Sequence, residues 1–190
     1  MLQDKVCYFD TKGDQNREDT LKLAVNAANL LNIKNIVLAT TSGNTAKLMA
    51  DSIDHEGIKI TVVTQAFGQK EPNKNPMSIE SRQYLIKKGF NICTAAHALS
   101  GAERSLSGSF QGLYPLELIA NTLRMLGQGT KVCVEISTMA ADAGYIESGE
   151  PVIAIGGAGR GADTAVVLRP EVSSNILKTK IDRIICKPIE

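Results

Sequence analysis

The sequence predicts an α/β fold with three layers, in which helices cover both faces of a mostly parallel sheet. Apolar runs of about five residues alternate with segments of about ten residues that have helical periodicity, as in repeated βαβ units. The apolar runs 151–155 and 165–169 are too close in the chain for a crossover helix between them. We therefore expect this pair to form an antiparallel hairpin at one edge of the sheet.

The first half of the chain contains four predicted strands, at 5–9, 36–39, 58–64 and 91–95. Asn16 is a good cap for a first helix that ends near Asn32, since acidic residues follow it and leucines recur at helical spacing. Further helices are predicted at 45–55 and 78–88, and Gly89 suits the end of the second of these.

The second half is predicted to begin with a helix over 115–126, because Pro115 favours a first turn. The run KVCVEI at 131–136 predicts a strand, and a short helix follows over 138–146. The tail 173–190 is left open, with 181–186 as a candidate final strand. Because there is no repeat or linker, residues 1–190 are predicted to form a single domain.

Composition disfavours several classes of function. The net charge is +1 and aromatic residues make up only 4%, which argues against nucleic-acid binding. No apolar run approaches ~18 residues and no signal peptide is recognisable, so we expect no membrane span. The four cysteines are widely separated without a CxxC pair, which predicts reduced thiols in a cytoplasmic protein without a metal site.

In open α/β sheets, ligands bind in the crevice at the carboxyl ends of the strands. The segments that follow the predicted strands should therefore meet at one edge of the sheet. These segments are 10–13, 40–45, 65–69, 96–101 and 137–140.

The most informative of these segments is the hydroxyl-rich loop 40–45. Its residues are Thr40, Thr41, Ser42, Gly43, Asn44 and Thr45. The start of a helix offers unpaired N–H groups to an anion, a glycine permits close approach, and hydroxyls donate to phosphate oxygens. The loop therefore predicts a phosphate site. The alternative is a simple capped helix start, with Ser42 or Thr41 as the cap.

Three stretches together resemble the C-terminal domain of pyruvate kinases. They are NIVLATTSGNTAKLMADSI, SRQYLIKKGFNI and IESGEPVIAIGGAGRGADTAVVLRP, and the resemblance spans roughly 24–169. The resemblance implies a regulatory fold in which the hydroxyl-rich loop holds a phosphate of a sugar-bisphosphate effector. The glycine-rich turn that contains Gly157, Gly159 and Arg160 is implied to lie nearby.

The chain as a whole resembles stand-alone, mostly archaeal proteins that carry this domain and have no established role. That group is associated with flavin mononucleotide (FMN), so the resemblance implies a phosphate-bearing ligand at Thr41–Thr45. The 190 residues contain no catalytic barrel, and we therefore expect no pyruvate kinase activity from them.

Other residues are predicted to line the rest of the crevice. Those after strands are Phe67, Gly68, His97, Ser137, Thr138 and Met139. His97 is a candidate acid–base group, with a structural histidine as the alternative. Gly157, Gly159 and Ala162 match G-x-G-x-x-A, but the strand-like sequence that follows favours a hairpin turn. Arg160 at this turn is either an anion ligand or a solvated side chain.

Three classes of function follow from this sequence. The first is binding of a phosphorylated small molecule, with FMN as the leading cofactor. The second is an enzyme in the same crevice, a flavin-dependent oxidoreductase or a phosphate-ester-processing enzyme that uses His97. The third is a homo-oligomeric regulatory module. The long segment 100–114 fits either a ligand lid or an oligomer contact.

Overall fold

A computed structural model describes residues 5–159 and 161–189, and it contains a seven-stranded sheet. The spatial order of the strands is β1-β7-β6-β5-β2-β3-β4. The strands are β1 (Cys7–Phe9), β2 (Asn35–Ala39), β3 (Lys59–Val63), β4 (Asn91–Cys93), β5 (Val152–Gly156), β6 (Thr164–Arg169) and β7 (Lys180–Pro188). The tail left open by the sequence therefore ends in a long strand that contains the candidate segment 181–186.

The sheet is mixed, as predicted. The pairs β1/β7, β2/β3, β2/β5 and β3/β4 are parallel, whereas β5/β6 and β6/β7 are antiparallel. The predicted β5/β6 hairpin is confirmed, but its expected position at the edge is wrong. It lies inside the sheet, because β7 and β1 continue the sheet beyond β6.

Helices cover both faces of the sheet. They are α1 (Arg17–Leu31), α2 (Asn44–Ser52), α3 (Ile79–Lys87), α4 (Glu103–Ser109), α5 (Pro115–Arg124) and α6 (Gln128–Asp142). The pleat of β2 divides the core, since Ile36 and Leu38 pack with residues of α1 and α2 while Val37 packs with α6. The described residues contain no helix long and apolar enough to cross a membrane.

Helix α6 corrects the sequence prediction of a strand over 131–136 and a separate short helix over 138–146. These residues belong to one helix that is buried almost all round, from Gly129 to Ala141 with Val132 as the less buried exception. A helix without a solvent face gives an apolar run, and a short apolar run does not distinguish a buried helix from a buried strand. Part of the predicted loop 100–114 is also helical, as α4.

Candidate functional site

A cavity of about 690 Å³ opens at the carboxyl ends of the parallel strands. Ala39, Val63 and Gly156, which end β2, β3 and β5, all line it. Segments from the start of α1, from α4 and α5, and from one side of α6 complete the wall. Such a volume lies in the range of about 300–1,000 Å³ that is typical of small-molecule sites.

The loop 40–45 forms one wall of this cavity. Helix α2 begins at Asn44, and its N-cap is Gly43, whose φ of 97° favours glycine. Within residues 5–159 and 161–189 no side chain caps the helix by a hydrogen bond, so the interpretation of Thr41 or Ser42 as a simple cap is wrong. The Thr40 hydroxyl instead accepts a hydrogen bond of 3.1 Å from the Gly43 N–H and holds the turn closed.

The remaining donors of this loop are free. Among the described residues, the side chains of Thr41, Ser42, Asn44 and Thr45 form no hydrogen bond, although all four line the cavity. The N–H groups of Asn44, Thr45 and Ala46 at the start of α2 also have no backbone acceptor in the described chain, whereas the Lys47 N–H donates to the Gly43 carbonyl at 2.9 Å. Hydroxyls, amides and the positive end of the helix dipole therefore converge on one side of the cavity.

A second polar cluster, which we call the α6 cluster, consists of Lys131, Glu135 and His97. The Lys131 Nζ donates to Glu135 Oε2 at 2.6 Å, and the Leu99 N–H donates to Glu135 Oε1 at 3.2 Å. His97 Nδ1 lies 3.9 Å from Glu135 Oε2, beyond hydrogen-bond distance. The side chains of Lys131 and Glu135 are only 7% and 5% exposed, and all three residues line the cavity.

The surroundings of His97 lower its pKa. Burial lowers the pKa of His97, and the positive charges of Lys131 and Arg104 lower it further, while the carboxylate of Glu135 opposes the shift. Because desolvation dominates, the imidazole is neutral at pH 7. A neutral imidazole offers one donor and one acceptor.

The charges around the cavity favour an anionic ligand. Among the described lining residues, the cations Arg17, Arg104, Arg124 and Lys131 outnumber the carboxylates Asp14 and Glu135 by two. Arg17 pairs with Asp14, and Lys131 pairs with Glu135. In the part of the chain that the structure describes, Arg104 and Arg124 have no carboxylate within 4.0 Å, so their charge is available to a ligand.

The structure brings most of the sequence-predicted residues to this cavity. The lining includes Thr40, Thr41, Ser42, Asn44, Thr45, His97, Met139, Gly157 and Gly159. Gly43 lies behind the wall, where an added Cβ would be 3.4 Å from the Ser81 Cβ. The prediction for Arg160 falls outside the described residues.

Four other predicted residues do not line the cavity. Ser137 and Thr138 are fully buried in the middle of α6, because the expected strand end before them is part of a helix. Phe67 is 63% exposed and, like Gly68, lies outside the lining.

Sequence reasoning missed most of the side of α6 that faces the cavity. The lining residues of this helix are Gln128, Lys131, Val132, Glu135, Ile136 and Met139. Their spacing of three and four residues is a helical stripe, and Lys131 with Glu135 is an i, i+4 ion pair. These signals become visible only once the run KVCVEI is read as a helix.

The architecture and the sequence together identify the class of this protein as a pyruvate kinase C-terminal-type α/β domain. The family described as "Pyruvate kinase, alpha/beta domain" matches residues 18–168, and the chain belongs to this family. The resemblance noted in the sequence is thus confirmed over most of the chain.

Three solved structures of pyruvate kinase from Cryptosporidium parvum are similar to this chain, each at 20% sequence identity. Their TM-scores are 0.43, 0.42 and 0.39, and the alignments cover 82%, 85% and 89% of this chain. They cover 23%, 24% and 23% of the pyruvate kinase chains, so this chain spans about a quarter of their length. The third of these structures is a complex with ADP.

Proposed function

We propose that this protein binds a phosphorylated small molecule in the cavity and holds the phosphate on the loop 41–45. The observation that carries the proposal is the set of unused donors on this loop. Thr41, Ser42, Asn44 and Thr45 line the cavity, and in the described residues neither their side chains nor the N–H groups of Asn44, Thr45 and Ala46 have a protein partner, so these donors can bind a ligand. A phosphate oxyanion would satisfy them together.

The electrostatic balance of the cavity supports an anionic ligand. The lining residues that the structure describes carry two positive charges in excess, and among these residues Arg104 and Arg124 have no carboxylate partner. Clefts lined by one sign of charge concentrate ligands of the opposite sign. The helix dipole of α2 adds to the attraction at the loop itself.

FMN is the ligand that we propose first. The cavity volume suits a ligand of this size, Thr41–Thr45 would hold its phosphate, and Val132, Ile136 and Met139 offer an apolar wall to its ring. No Phe, Tyr or Trp side chain lines the cavity in the described residues, so we propose that the ring face packs against aliphatic groups. When bound, the isoalloxazine ring supplies one- and two-electron redox chemistry.

The four thiols support a location in a reducing compartment. Cys7, Cys93, Cys133 and Cys186 are all free. Burial raises the pKa of Cys93 and of Cys133, and it raises the pKa of Cys186 to about 12, so these three remain protonated, unreactive thiols. Cysteines used in this way are typical of cytoplasmic proteins, and we place the chain there.

Removal of two loop hydroxyls tests the proposed phosphate site. We expect the double substitution Ser42→Ala and Thr45→Val to weaken FMN binding by about 100-fold or more, because each hydrogen bond to a charged group contributes about 1.5–3 kcal/mol. Valine keeps the shape of Thr45, which is only 5% exposed. The dissociation constant is measured by quenching of flavin fluorescence.

The matched control is Ser52→Ala, at the exposed end of the same helix. It should leave the dissociation constant unchanged within about twofold, since a surface hydroxyl outside the cavity contributes little. Ribose 5-phosphate, followed by ³¹P NMR, provides a second probe that lacks the ring. Equal affinity of the parent protein and the double variant for both probes would refute the phosphate site.

A further inference from the structure

The α6 cluster is an unusual feature of the cavity because it contains an almost fully buried ion pair. Lys131 and Glu135 are joined at 2.6 Å with side chains 7% and 5% exposed. Burial of two charges costs desolvation energy, and apolar residues of similar volume often stabilise a fold as well or better. A buried pair in the wall of a cavity therefore indicates a role in the cavity rather than in the fold.

The hydrogen bonds of the pair determine which groups it can bind. Glu135 neutralises the charge of Lys131 and is itself fixed by the Leu99 N–H. Among the described residues, the Lys131 ammonium uses one of its three protons, on Glu135, and two remain. A neutral pair with free donors suits a neutral acceptor such as a carbonyl oxygen.

Aliphatic side chains of α6 lie beside the pair in the cavity lining. Val132, Ile136 and Met139 follow along the same side of α6, and the lining stripe from residue 128 to 139 extends about 16 Å. The phosphate loop follows β2, whereas His97 follows β4, two strands away, which corresponds to about 10 Å across the sheet. The phosphate loop and the α6 cluster are therefore separate polar groups of one cavity, and α6 adds the aliphatic side chains of Val132, Ile136 and Met139 to its lining.

We propose that Lys131 donates hydrogen bonds to the carbonyl edge of a flat ring at the far end of the phosphorylated ligand. The neutral His97 lies beside this edge, and Val132, Ile136 and Met139 pack against the ring face. The ligand class is thus a phosphorylated heteroaromatic compound with ring carbonyls. The inference rests on the proposed function, because it assumes that the phosphate occupies the loop 41–45.

The experiment compares three probes on the full chain after removal of any bound ligand: FMN, riboflavin and ribose 5-phosphate. Lys131→Met should lower the affinity for FMN and for riboflavin at least tenfold. The affinity for ribose 5-phosphate should stay within about twofold of that of the parent protein. The double variant Ser42→Ala with Thr45→Val should show the opposite pattern. Its affinity for FMN and ribose 5-phosphate should fall, and its affinity for riboflavin should not change. The two patterns separate the ring site from the phosphate site.

Lys131→Met leaves Glu135 as an unpaired buried carboxylate, so the double variant Lys131→Met with Glu135→Gln provides the control. It removes both charges together and retains a carbonyl acceptor for the Leu99 N–H. The same selective loss of FMN and riboflavin is expected. An equal fall in affinity for all three probes would overturn this inference, and so would a parent protein that binds neither flavin. If binding of ribose 5-phosphate still depended on Ser42 and Thr45, the proposed phosphate site would remain supported.

Discussion

At the residue scale, one hydrogen bond within the loop 40–45 closes the turn and leaves the other side chains of the loop available to a ligand. Because the Thr40 hydroxyl closes the turn on the Gly43 N–H, Thr41 and Ser42 are not needed as caps. Gly43 adopts a φ of 97° that residues with a Cβ rarely adopt. The hydroxyls that remain therefore face the cavity instead of the backbone.

His97 gives a prediction about stability and pH. Its pKa in the folded protein lies below the ordinary 6.5, since burial and the charges of Lys131 and Arg104 outweigh Glu135. Between these two pKa values the unfolded chain binds more protons than the folded chain, so stability falls as the pH falls through this window. His97→Gln should flatten this part of the pH dependence, as measured by urea unfolding from about pH 7 to about pH 5.

The comparison is made on ligand-free protein, because an anion in the cavity would change the charges around His97 and therefore its pKa. Replacement of the exposed Lys178 by Gln serves as a control that leaves the slope unchanged. Identical slopes for the parent protein and His97→Gln would show that the imidazole is not buried as described.

At the element scale, close packing of α6 on β6 depends on Gly129. A Cβ at this position would lie 2.0 Å from Thr164 Oγ1 and 2.4 Å from Thr164 Cβ. Thr164 is 1% exposed and its hydroxyl donates to Asp163, so it has little freedom to move away. The absence of a side chain thus allows the first turn of α6 to approach the sheet.

We predict that Gly129→Ala destabilises the protein by about 3 kcal/mol, at the upper end of overpacking effects. The matched control is Gly108→Ala in α4, where an added Cβ meets no atom within 4 Å. The control should be neutral or more stable by about 0.5 kcal/mol, because alanine favours helix more than glycine does. Urea unfolding measures both, and equal effects would contradict the packing described for α6.

The elements differ in how well the sequence predicts them. The strand predicted at 36–39 and the helix predicted at 45–55 correspond to β2 and α2, although α2 ends at Ser52, because an apolar strand, a polar turn with a glycine and an amphipathic helix have distinct patterns. Segment 131–136 was predicted wrongly, because a helix enclosed by α5 and the sheet has no solvent-exposed face. For the same reason, the prediction that Ser137 and Thr138 follow a strand and line the crevice is wrong.

At the scale of the whole molecule, topology assembles the cavity from segments that are distant in the chain. Arg17, Arg104 and Lys131 come from three separate helices and share one wall only because the strand order places their ends together. The rule that ligands bind at the carboxyl ends of parallel strands predicts the location. It does not predict which helix side completes the wall, since this depends on packing that local sequence does not specify.

The strand order itself was also partly beyond prediction. The β5/β6 hairpin is visible in the sequence because its connection is short. That β7 pairs with both β6 and β1 depends on contacts between the two ends of the chain, which leave no periodic signal. The hairpin therefore lies within the sheet and not at its edge.

The central claim is that the loop 41–45 holds a phosphate. A crystal structure of the protein soaked with FMN tests this most directly. We predict that phosphate oxygens lie within hydrogen-bond distance of the Ser42 and Thr45 hydroxyls and of the first-turn amides of α2. An FMN phosphate located elsewhere, with these donors bonded within the protein, would contradict the account.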